Sequence, residues 1–207
     1  MLDSSGTRRF GRLAPAAHRW CTINSALVHD GTVTIKHVTA STFVFARFGS
    51  GWRLGLILHP LFGRLMIPGG HVESEENPPE AARREVAEET GREVRFVPPL
   101  APVAPTEIRA DRRLVAQPWW IMEQPVERDN HVGEPHYHVD HLYVAIADAA
   151  EPVGDPAHPF GWHTAEELAT LDMFEDTRLF AAALFADIDA IAAAVSRPDQ
   201  VAAVRAR

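Results

Sequence analysis

Cysteine and long apolar runs are both scarce in this chain of 207 residues. Cys21 is its single cysteine, so no disulfide can form within the chain, which is typical of a reducing compartment. No apolar stretch approaches the length of a membrane-spanning helix. The first twenty residues carry four arginines but lack the apolar core of a secretory signal. These absences predict a cytoplasmic protein that has no membrane partner.

The chain also lacks an excess of basic residues, since its formal net charge is −8. A strongly acidic chain is a poor general binder of nucleic acid, so we expect no duplex partner. A small anionic substrate remains compatible with this charge, because a bound cation would decide the local field. The sequence contains neither a GxGxxG nor a Walker loop, which disfavours Rossmann and P-loop enzymes.

The length and the 46% hydrophobic content are sufficient for one well-buried core. We divide the chain into an N-terminal arm (1–20), a central domain (21–174) and a C-terminal helix with its tail (175–207). The final helix is predicted at 175–195, with Phe180, Leu184, Ile188 and Ile191 near helical spacing. It could pack on the central domain or on a second subunit, so a homodimer stays open.

Short apolar segments predict strands before and after a central helix. Residues 42–48 and 52–58 are expected to form a hairpin around Gly49-Ser50-Gly51. Residues 123–135 are expected to be a loop, and Thr164 is expected to cap a helix at 165–170. Further strands are predicted at 65–67, 92–97, 114–116, 119–122 and 137–147. This order indicates an α/β fold in which a mixed sheet lies between helices.

An acidic helix directly follows a Gly-Gly pair. Asn77 is a suitable N-cap, proline occupies the first helical position, and Gly91 offers a left-handed stop. These signals predict a helix from Pro78 to Thr90. The side expected to face the core carries Ala82, Val86, Ala87 and Thr90.

Three glutamates, Glu85, Glu88 and Glu89, form a stripe along another side of this helix. They lie in its C-terminal half, where the macrodipole disfavours anions, and each like-charged pair costs about 0.2–0.5 kcal/mol. A solvated acidic face is the common explanation for such a stripe. A divalent cation would reverse the sign of every one of these interactions, and carboxylate oxygens suit Mg²⁺ or Mn²⁺. We therefore predict a divalent metal site here.

The stretch from Gly70 to Arg92 resembles the Nudix box, G-x5-E-x7-R-E-U-x-E-E-x-G-U, in which U is aliphatic. The matching residues are Gly70, Glu76, Arg84, Glu85, Val86, Glu88, Glu89 and Gly91. Arg92 departs from the pattern, but its position serves packing and the metal site does not depend on it. The flanking segments extend the resemblance over residues 40–171.

The resemblance to Nudix hydrolases implies an α/β/α sandwich with a mixed central sheet. It implies metal-dependent hydrolysis of a pyrophosphate bond in a nucleoside diphosphate linked to another group, by attack of water on phosphorus. The implied ligands of Mg²⁺ or Mn²⁺ are Glu85, Glu88, Glu89 and the carbonyl of Gly70. In the implied mechanism, Glu88 or a loop acid takes the proton and Arg84 orients the glutamates or the phosphate.

Substrate contacts are expected around the glycine pair. Gly69 and Gly70 permit close approach of the backbone to a ligand. The guanidinium of Arg64 could hold a phosphate, although a surface arginine is the commoner explanation. We count all three among the candidate substrate-binding residues.

Histidines and an aspartate alternate along the late strand, so His136, His138 and Asp140 point to one face. A zinc site is one explanation, although a closed structural site needs four ligands. A polar pocket mouth is a second, and contact with substrate or with the metal-binding carboxylates is a third, which we favour. Glu134 or Asp140 could supply an additional acid.

A second class of function is a Nudix-fold sensor that binds a nucleotide without turnover. The complete set of three carboxylates argues against this class, because a pure binder has little need of them. The substrate, a small nucleotide or another pyrophosphate, is left open among ADP-ribose, dinucleotides, oxidised nucleoside triphosphates and sugar nucleotides.

Overall fold

The computed structural model describes residues 25–29, 32–99 and 111–195. The expectations for the arm at 1–20 and for Cys21 therefore lie outside the described residues. The elements in chain order are β1 (Ser25–His29), β2 (Thr32–Phe48), β3 (Gly51–Leu58), β4 (Leu65–Met66), β5 (Gly69–His71), α1 (Pro78–Thr90), β6 (Val94–Phe96), β7 (Trp120–Val126), β8 (His136–Ala147), β9 (Phe160–His163) and α2 (Glu175–Val195).

The strands form one mixed sheet whose central path runs β4-β3-β2-β8-β6. The two central strands, β2 and β8, are parallel, while the other named pairs in the described ranges are antiparallel. Strands β1 and β5 add to β2, β7 adds to β8, and β9 adds to β3. This mixed sheet was predicted from the order of the elements.

Alternate residues of β2 and β8 face opposite sides of the sheet, as the period of a strand requires. The face toward α2 gathers Phe43, Phe45, Leu142, Val144, Leu184 and Ile188. The face toward α1 gathers Ala40, Val44, Ala46, Ala82, Val86 and Tyr143. Each large side chain buried in this way contributes about 1.5–3 kcal/mol to stability. The chain is therefore an α/β/α sandwich, and α2 packs on its own sheet.

Helix α1 has the predicted bounds because its local signals agree. The Asn77 side chain accepts a hydrogen bond from the Glu80 N–H at 3.2 Å, and the Glu80 carboxylate accepts one from the Asn77 N–H at 3.1 Å. Gly91 ends the helix with φ at 68°. The buried side is centred on Ala82, Val86 and Glu89, so Ala87 is exposed and its predicted core position is wrong.

Several sheet boundaries differ from the predictions because strand pairing is a long-range property. Residues 123–126, predicted as loop, continue β7 along β8 with alternating half-buried and exposed positions. Residues 114–116 form no strand, and the predicted helix at 165–170 is only a 3-10 turn, Glu167–Ala169. Strands β1 and β9 were not predicted, since each depends on a partner elsewhere.

Arg92 occupies a buried packing position, as expected for the end of the box. Its guanidinium lies over the ring of Phe160 at 3.9 Å and near that of Trp162 at 5.3 Å. It also donates hydrogen bonds to the carbonyls of Thr90 and Ala150. Aromatic rings and carbonyl oxygens thus replace the usual aliphatic contact. Burial lowers the pKa of this guanidinium.

The helices within the described ranges include none that is both long enough and apolar enough to cross a lipid bilayer.

Candidate functional site

Strand β5 brings the glycine pair against α1. Its antiparallel pairing with β2 sets Gly69 opposite Ser41 and Gly70 opposite Ala40. A Cβ on Gly70 would lie 2.4 Å from Oε1 of Glu85, so only a hydrogen fits between this backbone and that carboxylate. The N–H of Gly69 donates to Oε2 of Glu89 at 2.9 Å. Two carboxylates of α1 therefore converge on the glycine pair.

Glu88 is more exposed than the other two glutamates of the stripe. The side chains of Glu85 and Glu89 are 14% and 9% exposed, whereas that of Glu88 is 59% exposed. Successive residues of a helix differ by about 100° in direction, which turns Glu88 toward solvent when Glu89 points inward. Arg84 Nη1 donates to Glu88 at 3.1 Å and to Glu85 at 2.7 Å, and the charge of Glu88 also helps to raise the pKa values of Glu85 and Glu89.

Burial places both inward carboxylates in an unfavourable electrostatic position. It raises the pKa of Glu89 to about 8, and it raises the pKa of Glu85 as well. His158 Nε2 lies 3.3 Å from Oε1 of Glu89. Two hard oxygen donors whose ionised forms are disfavoured by burial fit a divalent cation such as Mg²⁺. The donor set therefore suits the metal that the sequence predicted.

Arg84 of α1 binds residues of the segment between the glycine pair and the helix. Its guanidinium donates to Glu76 at 2.7 Å, to Glu85 at 2.7 Å and to Glu88 at 3.1 Å. It also donates to the carbonyl oxygen of His71 at 3.0 Å. The hydrogen bonds to Glu76 are the main reason why the pKa of Arg84 is raised. The side chain thus fixes the loop and the glutamates, and it does not line the cavity described next.

A cavity of about 660 Å³ opens beside the glycine pair. Its polar wall includes Gly69, Gly70, Glu85, Glu89, His138, Asp140 and His158. Its apolar wall includes Leu61, Phe62, Met66, Phe174 and Phe180. A cavity that combines an acidic wall with aromatic rings can accept a ligand that has both a metal-binding and a planar part.

Asp140 lies on the polar wall, where Ser41 holds its carboxylate. The Ser41 hydroxyl lies 2.9 and 3.1 Å from the two carboxylate oxygens. Because Ser41 pairs with Gly69, and Gly69 binds Glu89, the Asp140 carboxylate adjoins the glutamate site. Burial raises the pKa of Asp140. The additional acid expected from the late strand is thus placed at the cavity, whereas Glu134 is exposed.

A cluster of three histidines and an aspartate borders the same cavity. His136 and His138 point to one face of β8, as their alternation predicted, and His71 and Asp129 complete the group. Burial lowers the pKa of His71 to about 3 and also lowers that of His138. Burial alone would raise the pKa of Asp129, but N–H donors from Val132 and His131 lower it well below its usual range. We call these four residues the His–Asp cluster.

Two further sequence candidates lie away from the cavity wall. Arg64 donates to Asp172 and to the carbonyl of Met173, both at 2.7 Å, and its guanidinium lies 4.5 Å from the centre of the Phe174 ring. Arg64 does not line the cavity, so the structure does not bring it to the site. His136 is buried within the His–Asp cluster and does not line the cavity.

Three residues of the site gave no usable signal in the sequence. His158 comes from the segment before β9, where backbone hydrogen bonds from 157 and 158 to the end of α1 position it. Asp129 belongs to the β7–β8 loop, which has no periodicity. His71 directly follows the glycine pair, and this adjacency was the one available indication that it would reach the cavity.

Comparisons with known proteins agree with the box and the fold. A family model described as NUDIX domain matches residues 43–184. The fold is similar to that of a NUDIX-family hydrolase from Clostridium perfringens, with 22% identity, a TM-score of 0.56, and coverage of 73% of this chain and 97% of that chain. It is also similar to the dihydroneopterin triphosphate pyrophosphohydrolase of E. coli, with 15% identity, a TM-score of 0.50, and coverage of 72% and 95%. At these identities the similarity concerns the fold alone. No curated protein sequence matches the chain significantly.

Proposed function

The chain belongs to the NUDIX domain family and is a Nudix hydrolase, and on this premise we propose that it uses Mg²⁺ or Mn²⁺ to hydrolyse a pyrophosphate bond in a nucleoside diphosphate linked to another group. The observation that carries the proposal is the convergence of two buried carboxylates, Glu85 and Glu89, on the glycine pair at the cavity wall. A divalent cation would favour the ionised form of both carboxylates, of which, among the described residues, only Glu85 has an arginine partner.

The residues that would hold the metal are Glu85 and Glu89, with the backbone at Gly70 beside them. When bound, a divalent cation neutralises phosphate charge and activates water for attack on phosphorus. Arg84 acts as a positioning residue, because its hydrogen bonds fix Glu85 relative to the loop and do not reach into the cavity. Glu88 then contributes through Arg84, which revises the part that the sequence analysis gave it.

We assign proton transfer from the attacking water to Asp140 in preference to Glu88. Asp140 lines the cavity, and burial moves its pKa upward, which suits a general base better than an ordinary exposed carboxylate. Ser41 fixes the orientation of this carboxylate. Glu88 is 59% exposed, accepts a hydrogen bond from Arg84 and does not line the cavity.

The apolar wall would hold the organic part of the substrate. Phe62 is 42% exposed, with its ring 4.8 Å from His59 and 5.7 Å from Phe174. An exposed ring in a cavity wall can stack on a planar base without moving other side chains. The proposed substrate is therefore a nucleotide or another planar group carrying a pyrophosphate.

A phosphate-release screen in Mg²⁺ and in Mn²⁺ tests the proposal. The panel contains ADP-ribose, a dinucleoside polyphosphate, a sugar nucleotide, an oxidised nucleoside triphosphate and a pterin triphosphate. Glu85→Gln and Glu89→Gln are expected to lower kcat/KM at least about 100-fold, and Asp140→Asn to lower kcat by a similar factor. Glu88→Gln is the matched control and is expected to lose less than about tenfold.

Two results of this screen would contradict the proposal. Full turnover by Glu89→Gln would contradict the assignment of Glu89 as a metal ligand. Equal losses of kcat in Glu88→Gln and Asp140→Asn would contradict the assignment of Asp140 as the general base. Tight binding of one nucleotide without product formation would instead support the sensor class of function. Product identification by mass spectrometry distinguishes these results.

A further inference from the structure

We propose that His71, Asp129, His136 and His138 bind a Zn²⁺ ion at a closed site with four protein ligands. This site is distinct from the Glu85 and Glu89 carboxylates, and the inference does not rest on the proposed function. The ion would connect the β7–β8 loop to the residue that directly follows the glycine pair.

The first support is the spacing of the ligand atoms. The Nε2 atoms of His71, His136 and His138 lie 3.3, 3.1 and 3.0 Å from a single oxygen, Oδ2 of Asp129. The Nε2 atoms of His136 and His138 are 3.1 Å apart. Atoms bound to a tetrahedral Zn²⁺ at 2.0–2.1 Å are separated by about 3.3–3.4 Å. Four of the six separations are therefore close to those of a zinc coordination tetrahedron, and all four ligand atoms lie within 4.8 Å of one another.

The second support is the tautomer that the surroundings impose on His136. Its Nδ1 lies 2.8 Å from the carbonyl oxygen of Glu134, which can only accept, so Nδ1 carries the hydrogen. A neutral imidazole then directs the lone pair of Nε2 at Asp129 and His138. A lone pair that faces a carboxylate oxygen is repelled unless a proton or a metal cation lies between them. An Nδ1–H bound to a backbone carbonyl is also the usual support for a metal-binding histidine.

The third support is an unsatisfied atom on His71. Its Nε2 is buried and has no hydrogen-bond partner of acceptable geometry, although it lies 3.3 Å from Oδ2 of Asp129. Buried nitrogen atoms of side chains are almost always paired. A metal ion at the centre of the cluster would satisfy this atom, which is independent of the argument from His136.

The fourth support is the way in which Asp129 is held. Its Oδ1 accepts hydrogen bonds from the backbone N–H groups of His131 and Val132, at 2.7 and 2.6 Å. The loop thereby fixes one oxygen and presents the other to the three imidazoles. Ligating carboxylates in metal sites are commonly oriented by such hydrogen bonds.

The donor set selects the metal. Three imidazole nitrogens and one carboxylate oxygen suit Zn²⁺, whereas Mg²⁺ prefers oxygen ligands and retains water. The four side chains are at most 17% exposed, so they are shielded from bulk solvent, although three of them border the cavity. A closed four-ligand zinc site is structural. We assign it the task of fixing the β7–β8 loop at the edge of the cavity.

Zinc analysis of a protein without a polyhistidine tag tests the inference. The apoprotein is prepared with a chelator, incubated with ZnCl₂, desalted and measured by inductively coupled plasma mass spectrometry. Wild type is expected to retain about one zinc ion per chain, and Asp129→Asn and His138→Gln less than about a tenth of that. His141→Gln is the matched control on the same strand and is expected to retain the zinc. Excess MgCl₂ is expected to leave the zinc content unchanged.

Two additional measurements keep the test independent of folding defects and of catalysis. Co²⁺ added to the wild-type apoprotein is expected to give the strong visible absorption of tetrahedral cobalt. Glu89→Gln is expected to retain zinc even where it loses turnover, which separates this site from the box site.

The inference is overturned if wild type retains no zinc after loading, or if Asp129→Asn retains as much as wild type. Octahedral cobalt spectra would also overturn it, because they would indicate solvent ligands and an open site. If wild type retains no zinc, the cluster is a hydrogen-bonded group around the Asp129 carboxylate.

Discussion

Glu89 is an acid at a packed core position of α1. Its carboxylate accepts a hydrogen bond from Gly69, yet burial outweighs this and raises its pKa to about 8. Without metal, the folded protein therefore favours the protonated acid near neutral pH. Metal binding would require that proton to leave, so metal affinity and pH are coupled at this residue.

The stability of the metal-free protein is expected to depend on pH through Glu89. Its pKa is raised on folding from 4.5 to about 8, so its stabilising contribution is complete below pH 4.5 and is lost as pH rises toward 8. In chelator, the free energy of unfolding of wild type should fall by up to about 4 kcal/mol more than that of Glu89→Gln between pH 5 and pH 8. Urea denaturation at three pH values measures this difference.

Glutamine is a suitable replacement because its side-chain oxygen can still accept the hydrogen bond from Gly69. Glu85 and Asp140 also have raised pKa values and change stability in the same direction, but they are present in both proteins. If the free energies of unfolding of wild type and Glu89→Gln changed equally with pH, the result would contradict a raised pKa for the buried Glu89 carboxylate.

At the scale of elements, the site depends on where α1 begins and ends. The capping box at Asn77 sets its first turn, and Gly91 packs so closely on the next loop that a Cβ would lie 2.2 Å from the carbonyl oxygen of Gly154. These two ends fix the rotation of the helix, and the rotation decides which glutamates point inward. Helix termination and metal-site geometry are thus connected through one element.

Removal of the cap is expected to destabilise the protein without touching the cavity. Asn77→Ala should lower the free energy of unfolding by about 1 kcal/mol, because the Glu80 N–H loses its acceptor. Asn77→Asp is the matched control and should be close to wild type, since aspartate caps equally well and favours the positive helix end. Urea denaturation measures the free energy of unfolding of the three proteins. Equal stability of the alanine and aspartate variants would refute the role of the cap.

Helix α1 could be predicted from the sequence to the residue, whereas several strands could not. Caps, proline and glycine act within one turn, so the local sequence contains the information. Strand β9 forms because β3 is available beside it, and β7 continues past Met122 because β8 does. The site follows the same division. Helical spacing predicted the stripe of Glu85, Glu88 and Glu89, but not that Glu89 would be buried while Glu88 is exposed. The contacts of the box with Asp129 and His158 join distant segments.

At the scale of the whole molecule, the cavity is lined by residues from both helical layers of the sandwich. Its acidic wall comes from α1 and β5, and part of its apolar wall comes from Phe174 and from Phe180 of α2. Because residues of both α1 and α2 line the cavity, a ligand bound there contacts segments that are far apart in sequence. Binding should therefore stabilise the fold as a whole.

Millimolar MgCl₂ or MnCl₂ is expected to raise the Tm of the wild-type protein. A tenfold excess of cation over its Kd stabilises the native state by about 1.4 kcal/mol, which corresponds to about 3–6 °C for a chain of this size. Glu85→Gln/Glu89→Gln should show no such shift, and NaCl at equal ionic strength is the control for screening. Equal shifts in wild type and the double variant would contradict the carboxylate metal site.

The parallel pairing of β2 with β8 joins Lys36 to Tyr137, positions about a hundred residues apart. A nascent chain therefore cannot complete the centre of its sheet until β8 has left the ribosome. Until then the apolar residues of β2 have no permanent neighbour, which is the condition that invites chaperone binding or aggregation. Chains terminated before Val144 should consequently be degraded in the cell, and no fragment ending there should behave as a folding unit.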